Sequence, residues 1–149
     1  MALVPRSFRA LLATAALLSG ACAGLGPGGR PEATRENRLD LVADLLEMED
    51  RRDYDPLRAG RAASSKDPWV RSRAALACGR LRDVEASVQV AVLLGDPDPD
   101  VRRAAAFAAG ISGDRRLAPL LARALADPDA GSAEAAATAL GRLGGEEAE

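Results

Sequence analysis

The residues best placed to do chemistry lie between positions 93 and 116. The stretch LLGDPDPDVRRAAAFAAGISGDRR puts Asp96, Asp98 and Asp100 at alternate positions, then Arg102 and Arg103. A metal loop, an anion site, or the joint between two packed helices would each use such residues. A calcium loop of this kind needs glycine after the third acid and glutamate at its twelfth place. Here Val101 follows Asp100, and the twelfth residue counted from Asp96 is Phe107. A helix start explains every residue instead. Asp98 serves as an N-cap, accepting from an otherwise orphaned N–H. Pro99 takes the first helical position, where a missing N–H costs nothing. Asp100 adds negative charge at the positive helix end, and Asp96-Pro97 stops the helix before it.

Other candidates for chemistry are few. The chain contains no histidine, so the commonest general base and the commonest transition-metal ligand are both missing. No Ser-x-x-Lys pair and no nucleophile–base pair stands out. Cys78 falls among Ala74, Ala77 and Leu81 on an apolar stripe and reads as a small core residue. Net charge is −2 with a pI near 5.3, which gives no basic excess to draw the protein onto nucleic acid. The expectation is therefore a non-enzyme with no catalytic residues, no metal, no cofactor and no nucleic-acid partner.

What elements hold these residues? The composition is 48% hydrophobic but only 3% aromatic, so the core must come from Ala, Leu and Val, which suits closely packed helices. The chain repeats itself. DPWVRSRAALACGRLRD (67–83), DPDVRRAAAFAAGISGD (98–114) and DAGSAEAAATALGRLGG (129–145) align at an offset of 31, and DYDPLRAGRAASSKD (53–67) precedes them more weakly. Within each unit Val70, Ala74, Ala77, Cys78 and Leu81, then Val101, Ala105, Ala108 and Ala109, recur as one helical stripe. Val88, Val92 and Leu94, then Leu117, Leu120, Leu121 and Leu125, are expected to supply the core face of the intervening helices. Arg71 and Arg102 share one phase and are expected to pair with aspartates of the adjoining loops. Asp67-Pro68 repeats the cap of Asp98-Pro99, and Asp83 and Asp114 precede the shorter helices. The fold predicted is all-α: an α-solenoid of helical hairpins, with about seven helices on a 31-residue repeat. A lone helix near 35–51 precedes three antiparallel pairs. One hairpin cannot bury its own apolar face, whereas stacked hairpins bury a continuous one.

The N-terminus reads as a targeting segment. MALVPRSFR carries two arginines and no acid, and a short apolar run follows up to Cys22. Ala21-Cys22-Ala23 fits an A-x-A cleavage site. LSGAC also resembles the bacterial lipobox, with Ser19 where leucine is usual, and there Cys22 would become the lipidated first residue. The lipoprotein reading is favoured, because a Gly/Pro-rich stretch follows it as a tether would. The domain layout expected is a signal peptide at 1–21, a tether at 22–33, a repeat domain at 34–145 and an acidic tail at 146–149. The protein would be exported to the periplasmic side of the cell envelope and held at the membrane by a lipid on Cys22, with a secreted or soluble periplasmic form as the alternative.

The pattern D-P-x-V-R-x-x-A-A-x-A-x-G-x-x-x-D resembles the short bacterial HEAT-like repeat over residues 53–145. Its third copy departs from the pattern, with Ser132-Ala133 in place of Val-Arg. LEMEDRRDYDPL, VRSRAALACGRLRD and AAFAAGISGD are similar to the N-terminal arrays of exported proteins that join such repeats to a cyclophilin-type peptidyl-prolyl isomerase. No isomerase-like stretch follows Gly145 in this sequence. The resemblance implies a surface for a protein partner. The alternative it implies is an array portion of an isomerase, or of another enzyme subunit, whose catalytic domain is not in this chain. Off the core stripe, Trp69, Arg73, Arg80, Arg103 and Phe107 are the candidate partner-binding residues, and Leu76, Phe107 and Thr138 share one repeat position. If Cys22 carries the anchor, labelled palmitate is expected to enter the protein in bacterial cells. Cys22→Ser should abolish labelling and move the protein from membranes to the soluble fraction. Equal fractionation of the two forms would leave the secreted form standing.

Overall fold

A computed structural model of the protein describes residues 32–145. The segment 1–21, Cys22 and the tail 146–149 lie outside the described residues. Helix α1 spans Glu32–Arg51, α2 Pro56–Ala63, α3 Pro68–Leu81, α4 Ala86–Leu93 and α5 Pro99–Ser112. A 3-10 turn, Arg115–Leu117, leads into α6 at Ala118–Ala124, and α7 spans Ala130–Gly145. Among the described residues there are seven α-helices and no strand. Residues 32 and 33, read from sequence as the end of the tether, open α1 instead. Glutamate and alanine are good helix formers and join it readily.

Aspartate and proline set most of the boundaries. Asp98 caps α5 by accepting from the N–H groups of Asp100 and Val101, with Pro99 in the first turn. Asp67 accepts from the Trp69 N–H ahead of α3. Asp55, not singled out in the sequence, does the same for α2 through Leu57 and Arg58. Asp83 accepts from Glu85 and Ala86 at the entry to α4, and Asp114 from Arg116 in the 3-10 turn. At the far ends, Arg82 after α3 and Gly113 after α5 both take the left-handed conformation that turns the chain into the next unit. They stand 31 residues apart.

The array is built on its longer helices. α1 packs on α3, α3 on α5, and α5 on α7, while α2, α4 and α6 each lie against the long helix of their own pair. This is an α-solenoid. The long helices meet through Ala and Gly. Val70, Ala74, Ala77 and Cys78 are buried on α3, and Val101, Ala105, Ala108 and Ala109 on α5. At Gly79 a Cβ would stand 2.6 Å from the carbonyl oxygen of Ala108, and at Gly110 3.0 Å from the Cα of Ala139. The backbones touch at both of these glycines of the 31-residue register.

On α4 the expected core face is not the observed one. Val88 and Val92 are 59% and 64% exposed, and the buried residues are Ala86, Val90, Leu93 and Leu94. The sequence ASVQVAVLL (86–94) is apolar in nearly every direction, so its periodicity does not pick a side. Leu125 is likewise exposed, and Leu117 and Leu121 do the burying for α6 and the turn before it. Leu81 is only half-buried, packed at the edge of the core. Ser132 takes the place of Val101 in the third unit and is buried, with its hydroxyl 2.9 Å from an Asp129 carboxylate oxygen and 3.1 Å from the Pro99 carbonyl. The third unit thus joins the stack by a polar contact where the second uses valine.

The glycines separate steric from intrinsic effects. Gly79→Ala is expected to destabilise by about 1–3 kcal/mol, the usual cost of overpacking a tight core. Gly141 has nothing near its missing Cβ, so Gly141→Ala is expected to stabilise by about 0.5–1 kcal/mol through helix propensity. Urea unfolding of the two variants measures both, and equal effects would contradict the close contact.

Candidate functional site

The aspartate-rich joint does structural work. Asp96 is buried and receives Arg71 in a two-pronged ion pair, with Nε 2.7 Å from one carboxylate oxygen and Nη2 2.8 Å from the other. The same carboxylate accepts the Asp98 N–H at 2.9 Å. One unit later Arg102 grips Asp127 at 2.7 and 2.8 Å, and Asp127 accepts the Asp129 N–H at 2.8 Å. Arg71 and Arg102 also donate to loop carbonyls, Ser65 in one case and Asp96 and Pro97 in the other. Each arginine therefore ties a long helix to the loop of the following unit. The expected pairing with loop aspartates is met at both positions. Planar guanidinium forks suit this geometry, and lysine could not reproduce it.

These contacts show in the acidities. Burial pushes the Asp96 carboxyl up, but the Arg71 guanidinium and the Asp98 N–H outweigh it and hold it below its ordinary value. Arg102 lowers Asp127, and the Ser132 hydroxyl and N–H lower Asp129. Arg116 brings Asp114 down to about 2. Burial pushes the Cys78 thiol up to about 12, so at neutral pH it stays protonated and un-nucleophilic. Among the described residues, no group of His, Cys, Asp or Glu side chains has the arrangement of a metal site.

A groove of about 610 Å³ opens on α5 and α7, with Leu76 of α3 at its edge and no residue of the short helices in its lining. Leu76, Ala104, Phe107 and Ala135 supply its apolar surface, and Arg103, Arg142, Asp100 and Glu134 its charged borders. Phe107 is 43% exposed, with the Arg142 guanidinium 5.1 Å above its ring centre. Arg103 pairs with Asp100. Its guanidinium also fills the place a side chain would take at position 131, where a Cβ would lie 2.9 Å from Nη1. Gly131, Ala135 and Thr138 are small, and this lets the groove open opposite Phe107.

Of the five candidate partner residues, the structure brings Arg103 and Phe107 together in this groove. The other three lie elsewhere on α3. Trp69 sits at the first turn of α3 under the Arg38 guanidinium, 4.2 Å from its ring centre. Arg80 pairs with Glu49 of α1 at 3.2 Å. Arg73 is half-buried and outside the groove lining. Leu76, Phe107 and Thr138, which share one repeat position, do converge there. Arg142 was not singled out in the sequence, yet it is the repeat equivalent of Arg80 two units on, and the 31-residue register could have found it.

Residues 88–148 match the family of HEAT repeats. The match begins in α4 and runs through α7, and so includes the two helices that form most of the groove. Among solved structures, human deoxyhypusine hydroxylase in complex with glycerol has a similar fold, with a TM-score of 0.65 at 20% sequence identity. The alignment covers 78% of this chain and 45% of the hydroxylase, so the chain spans less than half the length of that protein. No curated protein matches the chain.

The lowered carboxylates set an acid limit on stability. A carboxyl whose folded value lies below its unfolded value contributes stability above the unfolded value, near 3.8 for Asp114. That contribution is lost as pH falls through the folded value. The melting temperature is expected to hold from pH 7 to about pH 4 and then fall steeply towards pH 2. Asp114→Asn should flatten that fall. A profile unchanged by the substitution would remove the Arg116 pair from the account.

Proposed function

We propose that this chain is a non-enzymatic protein-binding scaffold of the bacterial cell envelope and that the α5–α7 groove is its binding face. The observation that carries the reading is the groove itself: an apolar surface with an exposed aromatic ring and charges of both signs at its border, set on a close-packed stack. An aromatic ring beside arginine in a partly desolvated groove is the usual anchor of a protein interface. Each border carries both signs, Asp100 and Arg103 on α5 and Glu134 and Arg142 on α7, which suits a peptide with an apolar centre and mixed charges. Attachment through Cys22 would place the array at a membrane on the exported side. The absence of histidine from the sequence and the protonated, buried Cys78 favour binding over chemistry.

A second reading has one observation in its favour. The chain spans 45% of human deoxyhypusine hydroxylase, so in that enzyme an array of this kind is part of a longer chain. Here it would be the repeat portion of a peptidyl-prolyl isomerase or other enzyme subunit.

Two measurements separate the readings. Tagged protein drawn from envelope extract is expected to co-elute with a defined partner that Phe107→Asp loses and Leu39→Asp keeps, since Leu39 is exposed on α1 and lies outside the groove. Loss with both variants, or with neither, would remove the groove as the binding face. The purified chain is also expected to leave proline-limited refolding of a test protein unaccelerated, because that barrier of about 18–20 kcal/mol needs a site built around the X-Pro amide. Acceleration at catalytic concentration would show an isomerase in these residues.

A further inference from the structure

The short helices form a second surface, independent of the groove. Helices α2 (PLRAGRAA), α4 (ASVQVAVL) and α6 (APLLARA) contain no acidic residue. Helix α1 alone holds seven in EATRENRLDLVADLLEMEDR. The outward positions of the short helices are apolar or cationic. Leu57, Val88 and Pro119 stand 31 residues apart and are all exposed, as are Arg61, Val92 and Arg123. Val84, at the entry to α4, extends the valine row and is 61% exposed. An apolar helix face left in water is unfavourable and marks a contact surface.

The charge around this face is unequal. At the C-terminal ends of α2 and α6 lie Arg61, Lys66 and Arg123, all exposed. Arg61 is paired with Asp44 and adds little net charge, and Asp96 and Asp127 are engaged by Arg71 and Arg102, so Lys66 and Arg123 set the charge of this edge. At the opposite end, Asp83, Glu85 and Asp114 stand against Arg82, Arg115 and Arg116 in near balance, with Arg116 paired to Asp114. The face therefore combines exposed valines with an edge of positive charge.

We infer that the outer face of α2, α4 and α6 rests on an anionic phospholipid surface, with its valines entering the interface and Lys66 and Arg123 meeting lipid phosphates. Peripheral membrane binding draws on this pair of contributions: apolar area buried at the headgroup boundary, and attraction of Lys and Arg to anionic lipid. The apolar positions run in two directions, along α4 and across three helices. That spread fits an extended surface better than a single bound peptide. Guanidinium groups suit phosphate, which they can meet through two hydrogen bonds.

The test uses the full chain carrying Cys22→Ser, so that no acyl group contributes. It is sedimented with phosphatidylcholine vesicles and with vesicles in which a third of the lipid is phosphatidylglycerol. Binding is expected to the anionic vesicles, to weaken as salt is raised, and to be slight on phosphatidylcholine alone. Val88→Ser with Val92→Ser, both at exposed positions of near-equal helix propensity, is expected to weaken it about fivefold or more. Arg123→Gln is expected to weaken it about fivefold, with circular dichroism unchanged in both variants. Binding that the substitutions leave intact, or that does not distinguish the two vesicles, would reside elsewhere in the chain and overturn the inference. Failure to bind vesicles together with Arg123-dependent binding of a polyglutamate peptide would assign the face to an acidic protein and overturn it equally.

Discussion

The array depends on how closely its long helices can approach. Alanine and glycine on α3, α5 and α7 bring the backbones together, and at Gly79 the gap is too small for even one methyl group. Close approach lets small side chains make enough contacts to replace the large aromatic core that this composition does not provide. It also fixes the spacing of the pairs, because a helix seated on alanine has little freedom to shift outward without losing contacts along its length. The consequence for function is indirect but firm. With the core of α3 and α5 drawn mostly from small residues, Leu76, Phe107 and Trp69 are left at the surface or at its edge.

The arginine–aspartate clasps complement this packing. Alanine faces are smooth and say little about register. Arg71 on Asp96 and Arg102 on Asp127 supply direction, since a two-pronged pair with a buried carboxylate has one good geometry. Breaking one side of such a pair leaves an unpaired buried charge and is costly. The third copy carries Ala133 at the arginine position, and Ser132 next to it binds Asp129 and Pro99 instead.

Much of this was readable from the residues. Asp98-Pro99 and Asp67-Pro68 announced their helix starts because capping is local chemistry. The Val70 and Val101 stripes announced the core because polar neighbours gave them contrast. Val88 and Val92 misled because α4 has no such contrast; only its seat between α2, α3 and α5 chooses Val90 and Leu93. The groove was partly legible. Phe107 and Arg103 stood out by type, but the opening beside them is made by Gly131, Ala135 and Thr138, small residues of the next unit. Their effect is a property of two helices together. Trp69 and Arg80 stood out for the same reasons as Phe107 and Arg103, yet α1 engages them through Arg38 and Glu49.

The two surfaces follow from one construction: long helices stacked tightly, short helices laid outside them. The most direct check on that construction is amide hydrogen exchange resolved along the chain. α3 lies between α1 and α5, and α5 between α3 and α7. Amides of α3 and α5 are expected to exchange most slowly, with opening free energies approaching that of global unfolding, and those of α2, α4 and α6 to open more readily. Slowest exchange in the short helices, with α3 and α5 opening first, would contradict an array held together by its long helices.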